Sequence, residues 1–176
     1  MTRTVRKLIR ARVVSIVCVA TALAVGAPVA LAQSSPPTTY TKQTLTLEAA
    51  NTAVAASLAK SRELGVLSVV AVYDEGGTLK ALATMDGARF TGVQFAMDKA
   101  WTSARRQAKT QDLADANAMQ PETFWHSFLK QPQITLLGGG LPIVVDGQVV
   151  GGIGSSGGTI PQDTEVVTAG LAAIQH

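Results

Sequence analysis

An α+β domain built on an antiparallel sheet is the fold class this sequence predicts, and three observations predict it. Two hairpin signals stand far apart in the chain. One is Asp74-Glu75-Gly76-Gly77 between runs rich in β-branched residues, and the other is Asp146-Gly147 between Leu141–Val145 and Gln148–Ile153. Asp-Gly at a two-residue turn is the strongest short hairpin signature, because both central residues must accept φ > 0. Helical stripes lie between and around these hairpins, which is the pattern of an α+β domain rather than a doubly wound sheet.

Each element follows from local sequence. Thr46 is a candidate N-cap with Glu48 in the first turn, and Leu47, Ala50, Val54 and Leu58 recur at helical spacing. Gly65 ends that helix as its C′ residue. Val66–Tyr73 and Thr78–Met85 read as the strands of the first hairpin. Phe90, Val93, Met97, Ala100 and Ala104 mark a second amphipathic helix, whose alanines let it lie close to a sheet. Thr110 to Ala118 reads as a polar stretch. Pro121 then opens a short helix as its first residue, carrying Phe124, Trp125, His126 and Phe128. Ile134–Leu137 reads as a strand ended by Gly138-Gly139-Gly140, the second hairpin follows, and Pro161–Gln175 is the last helix, with Val167, Leu171 and Ile174 on one face. The predicted order is α-β-β-α-α-β-β-β-α, with five strands.

The ends and the composition bound the function. Residues 1–32 read as a secretory signal peptide: Arg3, Arg6, Lys7, Arg10 and Arg12 precede the uncharged run Val13–Ala27, and Ala30-Leu31-Ala32 offers small residues for cleavage after Ala32. The run is shorter than the ~20 residues a spanning helix needs. The expected location is therefore secreted or periplasmic. Residues 33–44, with Ser34-Ser35-Pro36-Pro37, read as a flexible linker, and residues 45–176 as a single domain. All five charges of the leader are basic, so the remainder keeps ten of the fifteen Lys+Arg against twelve Asp+Glu, and the net charge moves from +3 to −2. Such a body, with no basic cluster beyond Arg105-Arg106 and Lys109, argues against nucleic acid as a partner. The single cysteine, Cys18, lies in the leader, so the expected mature chain has no disulfide, thiolate metal site or cysteine nucleophile.

Three groups carry possible chemistry. Gly152-Ile153-Gly154-Ser155-Ser156-Gly157 matches G-x-G-x-x-G, but dinucleotide binding needs that motif in a parallel βαβ unit. Here a two-residue hairpin feeds the strand, so the glycines read either as a bend offering backbone N–H groups to an anion or as a device for close packing. His126 sits in an aromatic cluster, in a chain only 5% aromatic, and is one of two histidines, the other being His176. It is a candidate metal ligand, in particular an axial ligand of haem, or else a half-exposed histidine on a packed helix. Lys99 and Thr102 are one helical turn apart and could face a common cleft, or form part of a solvated polar stripe. Asp74 and Asp86 read as turn residues.

Taken together and in order, several blocks resemble the GlcG/HbpS-like haem-binding (haem-degrading) family, which includes the C-terminal domain of PduO-type proteins. They are Leu64-Gly65-Val66, Val69–Gly77, Met85-Asp86-Gly87-Ala88, Asp98–Ala104, Gly138–Ile143, Asp146–Gly157 and Gln162–Glu165. The resemblance spans about Leu45 to Ile174. It implies profilin-like α/β/α layers around a five-stranded antiparallel sheet, homo-oligomers, and haem or iron binding in haem sensing or protection, with a membrane sensor protein among the candidate partners. It also implies a binding site that includes Lys99, Thr102, Gly138, Gly139 and Gly140, with His126 added from the residue reading. The expected function is a secreted haem-binding homo-oligomer. The alternative is a small enzyme acting on a carbonyl or carboxylate metabolite, with Lys99 and glycine-rich backbone amides as its polar groups.

Overall fold

A computed structural model describes residues 38–119 and 130–175. From Tyr40 onward they belong to one compact unit; of the unit before it only Thr38 and Thr39 are described. The elements are α1 (Leu47–Glu63), β1 (Val69–Asp74), β2 (Leu79–Thr84), α2 (Gly92–Arg106), α3 (Thr110–Asn117), β3 (Gly140–Val145), β4 (Gln148–Ser156) and α4 (Ile160–Ala172). The strands form one sheet in the order β2-β1-β4-β3, and every neighbouring pair is antiparallel.

The ends of the elements follow their sequence signals. Thr46 caps α1 by accepting the Ala49 N–H, and Gly65 at φ +66 closes it. There the Gly65 N–H reaches the Arg62 carbonyl and the Val66 N–H the Ser61 carbonyl, the paired bonds of a Schellman stop. Asp146 and Gly147 both take positive φ, as a primed two-residue turn requires. Asp74 turns the first hairpin by accepting the Thr78 N–H. A capping box of Thr159 and Gln162 starts α4, with Pro161 in its first turn.

Helices cover both faces of the sheet. On one side α1 and α4 pack over Val70, Val72, Ile143 and Ile153; on the other α2 packs over Val69, Ala71 and Tyr73 of β1 and crosses β4 and β3. That is why β1 is buried at every position: both of its faces are covered. Each fully buried valine here contributes about 1.5–3 kcal/mol of transfer free energy.

Four expectations change. The sheet has four strands among the described residues, not five. Ile134–Leu137 is irregular: the Gln133 carbonyl and the Thr135 N–H both bond the Thr102 hydroxyl of α2, so the segment is pinned by a side chain and pairs with no strand. Thr110–Asn117, read as a polar stretch, is helical, with Thr110 Oγ1 anchored on the Gly140 backbone. Leu47 is 55% exposed and Phe90 94%, so neither belongs to the stripe assigned to it; the buried residues of α2 are Gly92, Ala96, Lys99, Ala100, Thr102, Ser103 and Ala104. The helix expected from Pro121, with His126, lies outside the described residues.

Candidate functional site

The polar heart of the molecule is where α2, the end of β4 and the start of α4 meet. Lys99 projects from the middle of α2 and donates to Asp163 Oδ2 at 2.8 Å and to the Ser155 carbonyl at 2.8 Å. Both side chains of the ion pair are only 4% exposed. The other carboxylate oxygen of Asp163 accepts the Gly158 N–H at 3.1 Å, so both oxygens are engaged. Lys99 is therefore no part of a solvated stripe. It is a buried cation whose charge is compensated by a carboxylate from the opposite helical layer.

Gly139 makes that meeting possible. Its φ is +100, and a Cβ there would lie 2.7 Å from Asp163 Cβ and 3.1 Å from Lys99 Nζ. Its carbonyl accepts the Ser155 N–H at 3.0 Å, fixing the segment against β4. A Cβ on Gly140 would lie 2.5 Å from the Lys99 carbonyl, and one on Gly138 would lie 2.5 Å from both Gln111 Oε1 and Ile160 Cγ2. The triple glycine thus holds backbone against α2, α3 and α4. Gly152 and Gly154 act likewise on β4, where a Cβ would run into the backbone of α2 at Ala96, Ala100 and Ala104. The G-x-G-x-x-G match is a strand packed tightly under a helix, the packing alternative of the two expected from sequence.

A cleft of about 230 Å³ opens beside the ion pair. Lys99 and Asp163 form part of its wall; Phe95, Leu137 and Ile160 give it an apolar side, and Arg89 and the Gly157-Gly158 backbone complete the polar side. Thr102 does not line it. That hydroxyl is committed to Gln133 and Thr135, one turn further along α2. The structure therefore brings Lys99 and Gly139 together, sets Gly138 and Gly140 beside them, and gives Thr102 a separate structural task. Asp163 and Arg89 were missed by sequence reasoning. Asp163 looked like an ordinary acid in a helix's first turn, and only the fold shows that Lys99 faces it.

Tyr73 lies under α2 and outside this cleft. Burial pushes its phenol above the ordinary value and the Asp98 carboxylate adds to this, while a hydrogen bond with Gln133 opposes them. The phenol stays protonated at neutral pH. Among the described residues no group of three or more His, Cys, Asp or Glu could hold a metal ion. No described helix is long and apolar enough to cross a membrane.

The family model described as "Haem degrading protein HbpS-like" matches residues 45–172. The chain belongs to the HbpS-like family. A 15.0-kDa protein of uncharacterised function from the dhaT-dhaS intergenic region of Citrobacter freundii is 35% identical over 120 residues, covering 68% of this chain and 84% of that one. Among solved structures, a double mutant of Streptomyces reticuli HbpS superposes with a TM-score of 0.73 at 30% identity, covering 85% of this chain and 98% of that one. A PduOC:haem complex superposes with a TM-score of 0.69 at 28% identity, covering 76% and 96%. The fold is thus shared with a relative solved in complex with haem.

Proposed function

We propose that this HbpS-like protein binds haem, as a secreted homo-oligomer that sequesters or senses the group rather than turning it over. The observation that carries the reading is family membership: the matching family is described by haem, and a relative at 28% identity was solved in complex with it. The cleft supports it. A tetrapyrrole is a flat apolar body with acidic side chains, and the cleft sets Phe95, Leu137 and Ile160 beside Arg89 and Lys99. Its volume is below the ~300–1,000 Å³ usual for enclosed ligand sites, so it suits one edge of a macrocycle. A second copy of the chain covering the remainder is the simplest completion, which is why the proposal includes a homo-oligomer.

When bound, haem supplies the iron and its ligand and redox chemistry; the protein supplies the surface, the charges and an axial ligand. Among the described residues, none lining the cleft is His, Cys, Met or Tyr. We assign the axial role to His126, which the sequence places in an aromatic cluster. The commitment of Lys99 and Asp163 to one another supports a binding role for the cleft wall. The proposed leader, cleaved after Ala32, delivers the protein outside the cytoplasm, where a membrane sensor protein is a possible partner.

Titrating the purified chain, from Gln33 onward, with haemin tests the reading. A Soret shift at micromolar haemin is expected, and its absence overturns the proposal. His126→Ala is expected to change the spectrum; an unchanged spectrum removes His126 as ligand. The burial of Lys99 on the cleft wall also favours a second reading, an enzyme acting on a carbonyl or carboxylate metabolite held by this cation. Turnover lost in Lys99→Ala while haem affinity persists would establish it.

A further inference from the structure

We propose that the cleft at the α2–α4 junction is a carboxylate site, with Arg89 at its mouth as the group that engages an acid attached to a flat apolar body. The inference rests on the same site as the haem reading but assigns it a ligand chemistry of its own. The cleft is lined by two cations, Arg89 and Lys99, and one carboxylate, Asp163. Asp163 is already satisfied on both oxygens, by Lys99 and by the Gly158 N–H. Lys99 spends two of its three N–H donors on Asp163 and the Ser155 carbonyl, and it lines the cleft with one left over. The Arg89 guanidinium has no ion pair or hydrogen-bond partner among the described residues, so two cations face one carboxylate and the cleft carries a net positive charge.

Two further features have the same sign. The first turn of α2 begins on the cleft wall at Thr91 and Gly92, yet Thr91 makes no side-chain cap bond and no acidic residue follows in that turn. The chain thus sets no capping side chain and no carboxylate of that first turn at the positive end of the α2 dipole. By contrast, the capping box closes the neighbouring start of α4. Beside these charges stand Phe95, Leu137 and Ile160, an apolar wall next to an anion-seeking mouth. A guanidinium fork matches a carboxylate in two parallel bonds, and the cleft volume suits an acid arm with the first ring behind it. Two sources share that chemistry: the propionates of a haem, and a free aromatic or alicyclic carboxylate.

Quenching of the intrinsic tryptophan fluorescence compares haemin with haemin dimethyl ester, whose acids are blocked, on the wild-type chain and on Arg89→Ala. Benzoate, read by ligand-observed NMR, is the small carboxylate. Arg89 is exposed, and its side chain makes no ion pair or hydrogen bond among the described residues while its backbone carbonyl, which accepts the Gly92 N–H, survives truncation to alanine, so the variant is expected to keep the fold. The expected result is that haemin binds roughly tenfold tighter than its ester, and that Arg89→Ala abolishes the difference. Equal binding of acid and ester, unchanged in Arg89→Ala, overturns the carboxylate site and leaves the haem reading standing. Benzoate binding that depends on Arg89, with neither porphyrin bound, supports the carboxylate site and removes haem as its ligand. Binding of no probe at all overturns both.

Discussion

Lys99 and Asp163 face each other across two helical layers, and the consequence for stability is specific. Removing one partner strands a charge in a place that water reaches poorly. Lys99→Met is expected to cost about 3–5 kcal/mol, because Asp163 would remain buried with only the Gly158 N–H as partner. The double variant Lys99→Met, Asp163→Leu should recover much of that loss, since two apolar side chains fill the same space without stranded charge. Recovery stays incomplete because the Gly158 N–H then loses its acceptor. Urea unfolding of the two single variants and the double closes the cycle, and strict additivity would show that the pair is uncoupled. The charges of Lys99 and Asp163 could be read from sequence, but their pairing could not. They are 64 residues apart, and what joins them is the missing side chain at Gly139.

The seam between α2 and β4 is where sequence and structure agree on a reason. Alanines on the helix and glycines on the strand remove the atoms that would hold them apart, so the helix backbone lies directly on the sheet. Gly154→Ala would drive a methyl group toward the Ala96 carbonyl and to 2.5 Å from the Ala100 nitrogen, atoms that cannot rotate away. We expect a loss of about 3 kcal/mol in chemical denaturation. Gly147→Ala meets nothing within 4 Å but forces a methyl-bearing residue to φ +75, so its expected cost is about 1–2 kcal/mol. If the two variants cost the same, close packing is not what the β4 glycines supply. The hairpins, the α1 stop and the main helices were legible because caps, Asp-Gly turns and 3.6-residue stripes are local signals. The fifth strand failed for a non-local reason: Ile134–Leu137 looks like a strand, but the Thr135 N–H within it and the Gln133 carbonyl just before it are both bonded by Thr102. α3 was missed because its eight residues contain one large apolar side chain, Leu113, and so show no stripe.

Across the whole molecule, protonation and connectivity set when the fold is stable and when it can form. The Tyr73 phenol lies above its unfolded value of 10.0 in the native state, so the folded chain holds that proton longer than the unfolded one. Its contribution is fully present below pH 10 and is lost as pH rises through the native value. Denaturation midpoints should fall above pH 10 more steeply in wild type than in Tyr73→Phe; parallel curves would show that Tyr73 is not the group responsible. Connectivity acts earlier. The sheet order β2-β1-β4-β3 puts the inner edge of β1, the strand buried on both faces, against a partner that begins only at Gln148 of a 176-residue chain. During synthesis the N-terminal hairpin therefore emerges with an open edge and no second half to close it. Helix α2 reaches the ribosome exit before β4, the strand it lies on most closely. A nascent chain of this order cannot complete the sheet until β4 has emerged, so the inner edge of β1 stays unpaired for as long as that takes.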